Sequence, residues 1–233
     1  MSQRIKFYVS KYIEGDPTIK VGLQRGLITT RILTKHIIEE EKEFRGSFDD
    51  VRNAVRTYND EQVPFSNFND TYRAFKDSHI DIRGKLAYIE INRNSINEGV
   101  FSEIQKFYLN GEKFVRLLND EKSLILIARE DDIDKFIRLI ERENVLSAKK
   151  NISSVTIYLD PSVKNIPGIY FLIMGQISLN NINVYDISSY KSEFIIYIDQ
   201  KDVVKVHQLL YDLCEYQKKF CSPAGNISPI LQN

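Results

Sequence analysis

The chain has 233 residues, 42% hydrophobic and 27% charged, a composition that excludes wholesale disorder and suffices for two or three small cores. Thirty-two basic residues balance thirty-two acidic ones, so no whole-molecule field draws the chain to nucleic acid or to an anionic membrane. Cys214 and Cys221 are the only cysteines and share no CxxC or Cys/His spacing, so a structural zinc site is not expected, nor is any other metal or cofactor.

Arg4, Lys6 and Lys11 interrupt the first apolar run, unlike a signal peptide or membrane span, and the expected location is the cytoplasm with no membrane partner. Asp16-Pro17 is a helix-start signal that splits the beginning of the chain into two short helices, and Gly26 stops the second. Thr29 or Thr30 caps a third helix through about Glu43, and Ser47 caps a fourth through about Tyr58. Residues 1–60 therefore read as a small all-α domain. Its breaks at Gly26 and near Gly46 would suit a helix-turn-helix, in which Arg45, Arg52 and Arg56 would contact DNA. Lys and Arg before position 80 are nearly balanced by Asp and Glu, whereas DNA-binding domains are usually basic, so nucleic acid is the disfavoured partner. The alternative is a helical interaction or dimerisation domain.

The apolar periodicity fades from Asn59 to Asp81, where Pro64, Ser66, Asn67, Asn69 and Asp70 favour irregular backbone, and residues 61–83 are assigned to a linker. Strands and helices then alternate twice. The first unit, 84–150, reads as strand Leu86–Ile91, helix Val100–Tyr108, strands Phe114–Leu118 and Leu124–Ala128, and helix Ile133–Arg142. The second, 151–220, reads as strand Val155–Leu159, a helix opened by Pro167 and closed at Asn180-Asn181, strands Asn183–Ser188 and Glu193–Ile198, and a helix capped by Asp202. A tail, 221–233, follows. Gly99 to Gly168 is a step of 69 and Asp132 to Asp202 a step of 70, so one slipped loop position relates the two units. A fourth strand would close each βαββα unit into a ferredoxin-like sandwich. Leu146–Lys150 supplies that strand for the first unit, and no segment offers itself for the second. The expected fold class is α+β, tandem ferredoxin-like βαββαβ units with antiparallel sheets behind a small all-α domain.

Asn165-Ile166-Pro167-Gly168-Ile169, Asn181-Ile182-Asn183-Val184 and Ser192-Glu193-Phe194 resemble, in order, the signature of ACT domains. The paired units over about 80–215 are similar to the regulatory half of aspartokinases without a kinase domain. The whole layout is similar to stand-alone archaeal ACT proteins. The resemblance implies an effector-binding regulatory protein that is not an enzyme, with an amino acid as effector and homo-oligomers formed through the ACT units.

A glycine at a helix start lets a ligand approach the backbone, and the unpaired amides there suit a carboxylate. Asn165, Ile166, Gly168, Ile169 and Tyr170 are the candidate binding residues at that turn, with Glu193 for the ligand's ammonium. Val184, Tyr185, Asp186 and Ser192 border the same site if the unit dimerises side by side as the resemblance implies. The first unit has Glu98 where the second has Pro167, which places negative charge at the helix start, so that unit reads as a degenerate, structural copy. The plain alternative is that Pro167-Gly168 is only an ordinary helix start.

His36, His79 and His207 are scattered, and the run Glu39-Glu40-Glu41-Lys42-Glu43 reads as a solvated face. No GxxxxGK[ST], GxSxG or HExxH pattern occurs, so no nucleophile or base presents itself. Three functions stay open: an amino-acid-binding regulatory protein, an amino-acid-responsive DNA-binding regulator, and a structural dimerisation module.

Overall fold

The computed structural model describes residues 3–40, 46–61, 68–109, 115–119, 121–161 and 166–220. The chain divides into two compact bodies, Met1–Phe68 and Asn69–Asn233. The first is helical, with α1 (Gln3–Gly15), α2 (Pro17–Gln24), α3 (Thr30–Glu40) and α4 (Phe48–Glu61). Asp16 caps α2 as expected, its carboxylate accepting from Thr18 N at 2.7 Å and Ile19 N at 3.3 Å. Gly26, at φ 70°, ends the turn after α2 in the left-handed region. Val9, Ile13, Leu23, Leu33, Ile37, Val51 and Val55 form the core of this unit. The expected end of α3 at Glu43, and Arg45, lie outside the described residues, and α4 runs on to Glu61.

A short helix at the boundary, α5 (Phe68–Arg73), precedes β1 (His79–Asn92), α6 (Glu98–Leu109), β2 (Val115–Asn119), β3 (Ser123–Arg129) and α7 (Glu130–Ile140). β4 (Val145–Tyr158), α8 (Ile169–Leu179), β5 (Val184–Tyr190), β6 (Glu193–Asp199) and α9 (Val203–Phe220) complete the second body. α8 begins one residue after Gly168, with Pro167 in the turn before it. Asp199, not Asp202, caps the chain into α9: its carboxylate accepts from Lys201 N at 3.3 Å, opening a short 3-10 turn that α9 continues.

The six strands form one antiparallel sheet in the order β2-β3-β1-β4-β6-β5. The paired ferredoxin-like units are present, but they are interleaved. Val145–Ala148 of β4 lies beside Ile89–Ile91 of β1 and closes the first unit, as expected of Leu146–Lys150. The missing fourth strand of the second unit comes from before the first: His79–Arg83, within the expected linker, pairs with Ser154–Tyr158. β1 and β4 are thus 14-residue strands shared by both units. Each is bent where it crosses between them, β1 at Gly84-Lys85 and β4 near Asn151, with Lys85 at φ 55° and Asn151 at φ 60°.

The register also corrects the repeat. Leu86 faces Arg129 and Ile152 faces Asp199, so equivalent first strands are 66 residues apart and equivalent third strands 70. The loop from the first strand to the helix is accordingly three residues longer in the second unit: Asn92 to Gly99 is seven positions, and Tyr158 to Gly168 is ten.

Ala87, Ile89, Ile91, Leu124, Leu126 and Ala128 face α6 and α7, where Val100, Ile104, Ile133, Phe136 and Ile140 meet them. The alternate residues Leu86 and Ile127 cluster on the other face with Ile152, Ile195 and Tyr197. Phe194, Ile196 and Ile198 therefore look toward the helix face of the second unit, where α9 packs on β4 and β1. Both helix pairs share one side of the sheet, and each buried Leu, Ile or Phe there contributes about 1.5–3 kcal/mol of transfer free energy.

Candidate functional site

The first unit carries a cleft of about 660 Å³ where β1 hands over to α6. That lies within the range of roughly 300–1,000 Å³ common for small-molecule sites. Local hydrogen bonds build its rim. The Asn92 side chain accepts from Asn94 N at 3.1 Å, Ser95 Oγ donates to Asn92 O at 2.6 Å, and Arg93 N donates to Lys122 O at 3.1 Å. The Asn97 carboxamide then caps α6 by accepting from Val100 N at 2.9 Å. Gly99 leaves room for this cap, since a Cβ there would lie 3.2 Å from Asn97 Oδ1. Ile96, Phe101, Leu117 and Leu124 give the cleft apolar wall, and Arg93, Asn97, Glu98, Ser102, Gln105 and Asn119 give it polar wall. Arg93 donates from Nη1 to Asn119 Oδ1 on β2. One cation and one carboxylate, Arg93 and Glu98, therefore line the same concavity.

The register locates the matching place in the second unit. Asn119 faces Leu124 as Ser189 faces Phe194, Leu117 and Ile187 are likewise matched, and the glycine step of 69 takes Phe101 to Tyr170. Here the Tyr170 ring crosses to the strands. Its hydroxyl bonds Ser189 Oγ at 2.8 Å and its ring meets Phe194 edge-on, centroids 4.7 Å apart at 76°. Tyr170, the counterpart of Phe101, thus lies against Ser189 and Phe194, whose counterparts Asn119 and Leu124 line the cleft of the first unit.

The predicted residues separate into two groups. Gly168 is left-handed, φ 93° and ψ −7°, and its carbonyl accepts from Leu172 N at 3.0 Å, while Thr71 Oγ1 donates to Pro167 O at 2.8 Å. Ile166 is half-buried and Ile169 buried beside it. Ser192 O accepts from Leu159 N at 2.9 Å, and Glu193 faces Tyr158, so both lie at this same end of the sheet. Asn165 lies outside the described residues. Val184, five residues from Ser189 along β5, is roughly 17 Å away at the other end.

Tyr185 and Asp186 straddle a bulge and both look to the helix-free face, away from α8. Lys149 lies 4.3 Å from the Tyr185 ring centroid, hydrogen-bonds its hydroxyl, and pairs with Asp199 at 3.4 Å. Asp186 Oδ2 and Tyr197 Oη are buried without hydrogen-bond partners among the described residues. Burial pushes the Asp186 carboxyl up, against the opposing hydrogen bond from Ile187 N–H. Burial likewise raises the Tyr197 phenol to about 12. Of the residues expected to contact DNA, Arg52 is paired with Asp49 on its own helix at 3.4 Å.

Sequence reasoning missed the cleft of the first unit because Glu98 replaces the proline. The available signal was Asn97 placed three residues before Val100, a helix-capping spacing. Among the described residues no group of three His, Cys, Asp or Glu could hold a metal ion, and no helix is long and apolar enough to cross a membrane.

No family model matches the sequence, and no curated protein matches it. Several solved structures do. The aspartate kinase of Clostridium acetobutylicum is 20% identical with a TM-score of 0.48, the match covering 57% of this chain and 34% of that one. The regulatory subunit of aspartate kinase from Thermus thermophilus is 10% identical with a TM-score of 0.46, over 57% of this chain and 95% of that one. Aspartokinase III of E. coli, in complex with lysine and aspartate, is 13% identical with a TM-score of 0.43, over 57% of this chain and 32% of that one. This chain thus spans about a third of the length of the whole kinases it matches.

Proposed function

We propose that the unit from Asn69 onward is a regulatory module that binds a small zwitterion, an amino acid being the simplest, and that it catalyses no reaction. The observation that carries this reading is the first-unit cleft, in which Arg93 and Glu98 offer opposite charges beside the apolar Phe101, Leu117 and Leu124. A carboxylate would find Arg93 and an ammonium would find Glu98, while a side chain lies on the apolar wall. The turn at Ile166, Gly168 and Ile169, with Ser192 and Glu193 at the same end, is the second binding position in this proposal. Tyr170, bonded to Ser189, stands in the first turn of the helix that follows it. Ligand binding regulates by favouring one arrangement of the chain over another, which requires different affinity for the two.

The test is a thermal-shift screen of the free amino acids, repeated on Arg93→Ala and Gly168→Asp. A true ligand raises the melting temperature by mass action, by about 2.7 kcal/mol of stabilisation at a hundredfold excess over Kd. Loss of the shift in Arg93→Ala supports the first-unit cleft, and loss only in Gly168→Asp moves the site to the second unit. No shift with any amino acid at millimolar concentration would leave the module as a structural dimerisation element.

A further inference from the structure

The near balance of charge over the helical unit hides a segregation. Between Gln3 and Ile38 stand seven basic residues, Lys20 and the exposed Arg4, Lys6, Lys11, Arg25, Arg31 and Lys35, against only Glu14 and Asp16, a net charge of +5. From Glu39 to Glu61 eight acidic residues face four basic ones, a net charge of −4. The basic segment is α1, α2, the turn after it, and the first two turns of α3.

The same segment has the geometry of two helices joined by a tight glycine turn. α2 ends at Gln24, Gly26 turns in the left-handed region, and Leu27 N and Ile28 N both donate to Gly22 O, at 2.8 and 3.1 Å. Gly22 makes this closure possible, because a Cβ there would lie 2.6 Å from Ile28 Cδ1. Thr29 Oγ1 then accepts from Ile32 N at 3.3 Å and starts α3. Leu33, Thr34 and Ile37 are buried, so Arg31, Ile32, Lys35 and His36 face outward, Ile32 at 63% exposure. The carboxylates Glu39 and Glu40 stand in the last turn of α3, Glu39 pairing with the exposed Lys35 at 3.5 Å and Glu40 lying 3.6 Å from His36, surface contacts that phosphates can displace.

We propose that α2, its glycine turn and α3 form a helix-turn-helix that binds duplex DNA, with the N-terminal half of α3 entering the major groove. Charge complementarity selects the occupant: phosphates meet the basic segment, whose net charge is +5. A helix fits the major groove, about 12 Å wide, and helix-turn-helix proteins present the N-terminal residues of the second helix to base edges. Thr30, Arg31 and Lys35 stand at that end, and Ile32 offers the apolar contact that a thymine methyl accepts. This assignment moves the DNA contacts from Arg45, Arg52 and Arg56 to α3.

The experiment is a mobility shift of the full chain on a mixed-sequence duplex of about 25 base pairs, at about 50 mM and about 200 mM salt. With roughly five phosphate contacts, affinity falls by roughly 500-fold between the two salts. Arg31→Ala with Lys35→Ala, both at exposed positions, weakens binding at least tenfold and makes the salt slope shallower by about 1.8. Glu39→Gln with Glu40→Gln tightens binding, and Arg52→Ala with Arg56→Ala leaves it within threefold. The proposal is overturned by no retardation at the lower salt, by binding that the Arg31 and Lys35 changes leave intact, or by capture on anionic vesicles without any on the duplex.

Discussion

Tyr197→Phe isolates the most unusual group on the helix-free face. Tyr197 is fully buried and its hydroxyl has no hydrogen-bond partner among the described residues, a condition that costs about 1–3 kcal/mol for a desolvated polar group. Replacing it by Phe keeps the ring among Leu86, Ile127, Ile152 and Ile195 and removes only the oxygen. The variant is therefore expected to be more stable than the parent by about 1 kcal/mol near pH 8. The two then diverge as pH rises. Burial raises the phenol from 10.0 to about 12, so the folded state holds this proton more tightly than the unfolded chain. Its contribution is fully present below pH 10 and is lost as pH climbs through the interval to about 12. At pH 11, midway, the parent has lost about 1.4 kcal/mol from this group and the variant has lost none, so the gap grows to about 2.4 kcal/mol. Other raised tyrosines, Tyr58 and Tyr88, are common to both proteins and cancel in the difference. Urea unfolding followed by circular dichroism at the two pH values measures it. A variant less stable than the parent near pH 8 would show that the hydroxyl is satisfied in the fold, and parallel alkaline slopes would show that the phenol titrates normally; either result refutes the reasoning.

Phe136→Ala removes a fully buried ring from the core under α7 and is expected to cost about 3–5 kcal/mol in urea unfolding. Gly168→Ala forces a Cβ into φ 93° and is expected to lower stability by about 1 kcal/mol or more, read as a lower melting temperature with faster amide exchange at the start of α8. Asp186→Asn should raise the melting temperature at neutral pH, because burial holds the folded carboxyl above its ordinary value and its ionised form is the disfavoured one. That gain should vanish in acid, where parent and unfolded chain both carry the proton, so a melting difference independent of pH would contradict the assignment.

The apolar periodicity of the second ferredoxin-like unit made its elements readable, and so did the capping chemistry of Asp16-Pro17 and the left-handed Gly26 in the helical domain. Interleaving was not readable. The bulge at Gly84-Lys85 puts His79–Arg83 out of phase with Leu86–Asn92, so a search for one alternating strand sees only its second half. The same break near Asn151 hid that Leu146–Lys150 and Val155–Tyr158 are one strand. Tyr185 and Asp186 group with Gly168 only if the unit dimerises side by side, as the resemblance implies. In the single chain the bulge after Val184 turns both to the far face, a consequence of register that residue types do not encode.

The difference between the two candidate positions follows from a duplication with unequal loops. Both units hold β2 or β5 in the same register against its neighbour, Asn119 beside Leu124 and Ser189 beside Phe194. What reaches those strand residues is set by the connection before the helix. In the first unit seven positions separate Asn92 from Gly99, and the chain tightens into a 3-10 turn that sends Arg93 across to Asn119. In the second, ten positions separate Tyr158 from Gly168, the Pro167-Gly168 turn opens the helix, and Tyr170 from the helix itself meets Ser189. Arg93 from the loop lines the cleft beside Asn119, whereas the half-exposed Tyr170 from the helix lies against Ser189 and Phe194. The unit that looks degenerate by its motif carries the cleft of about 660 Å³, and in the unit with the recognisable motif the matching strand residue, Ser189, is bonded to Tyr170.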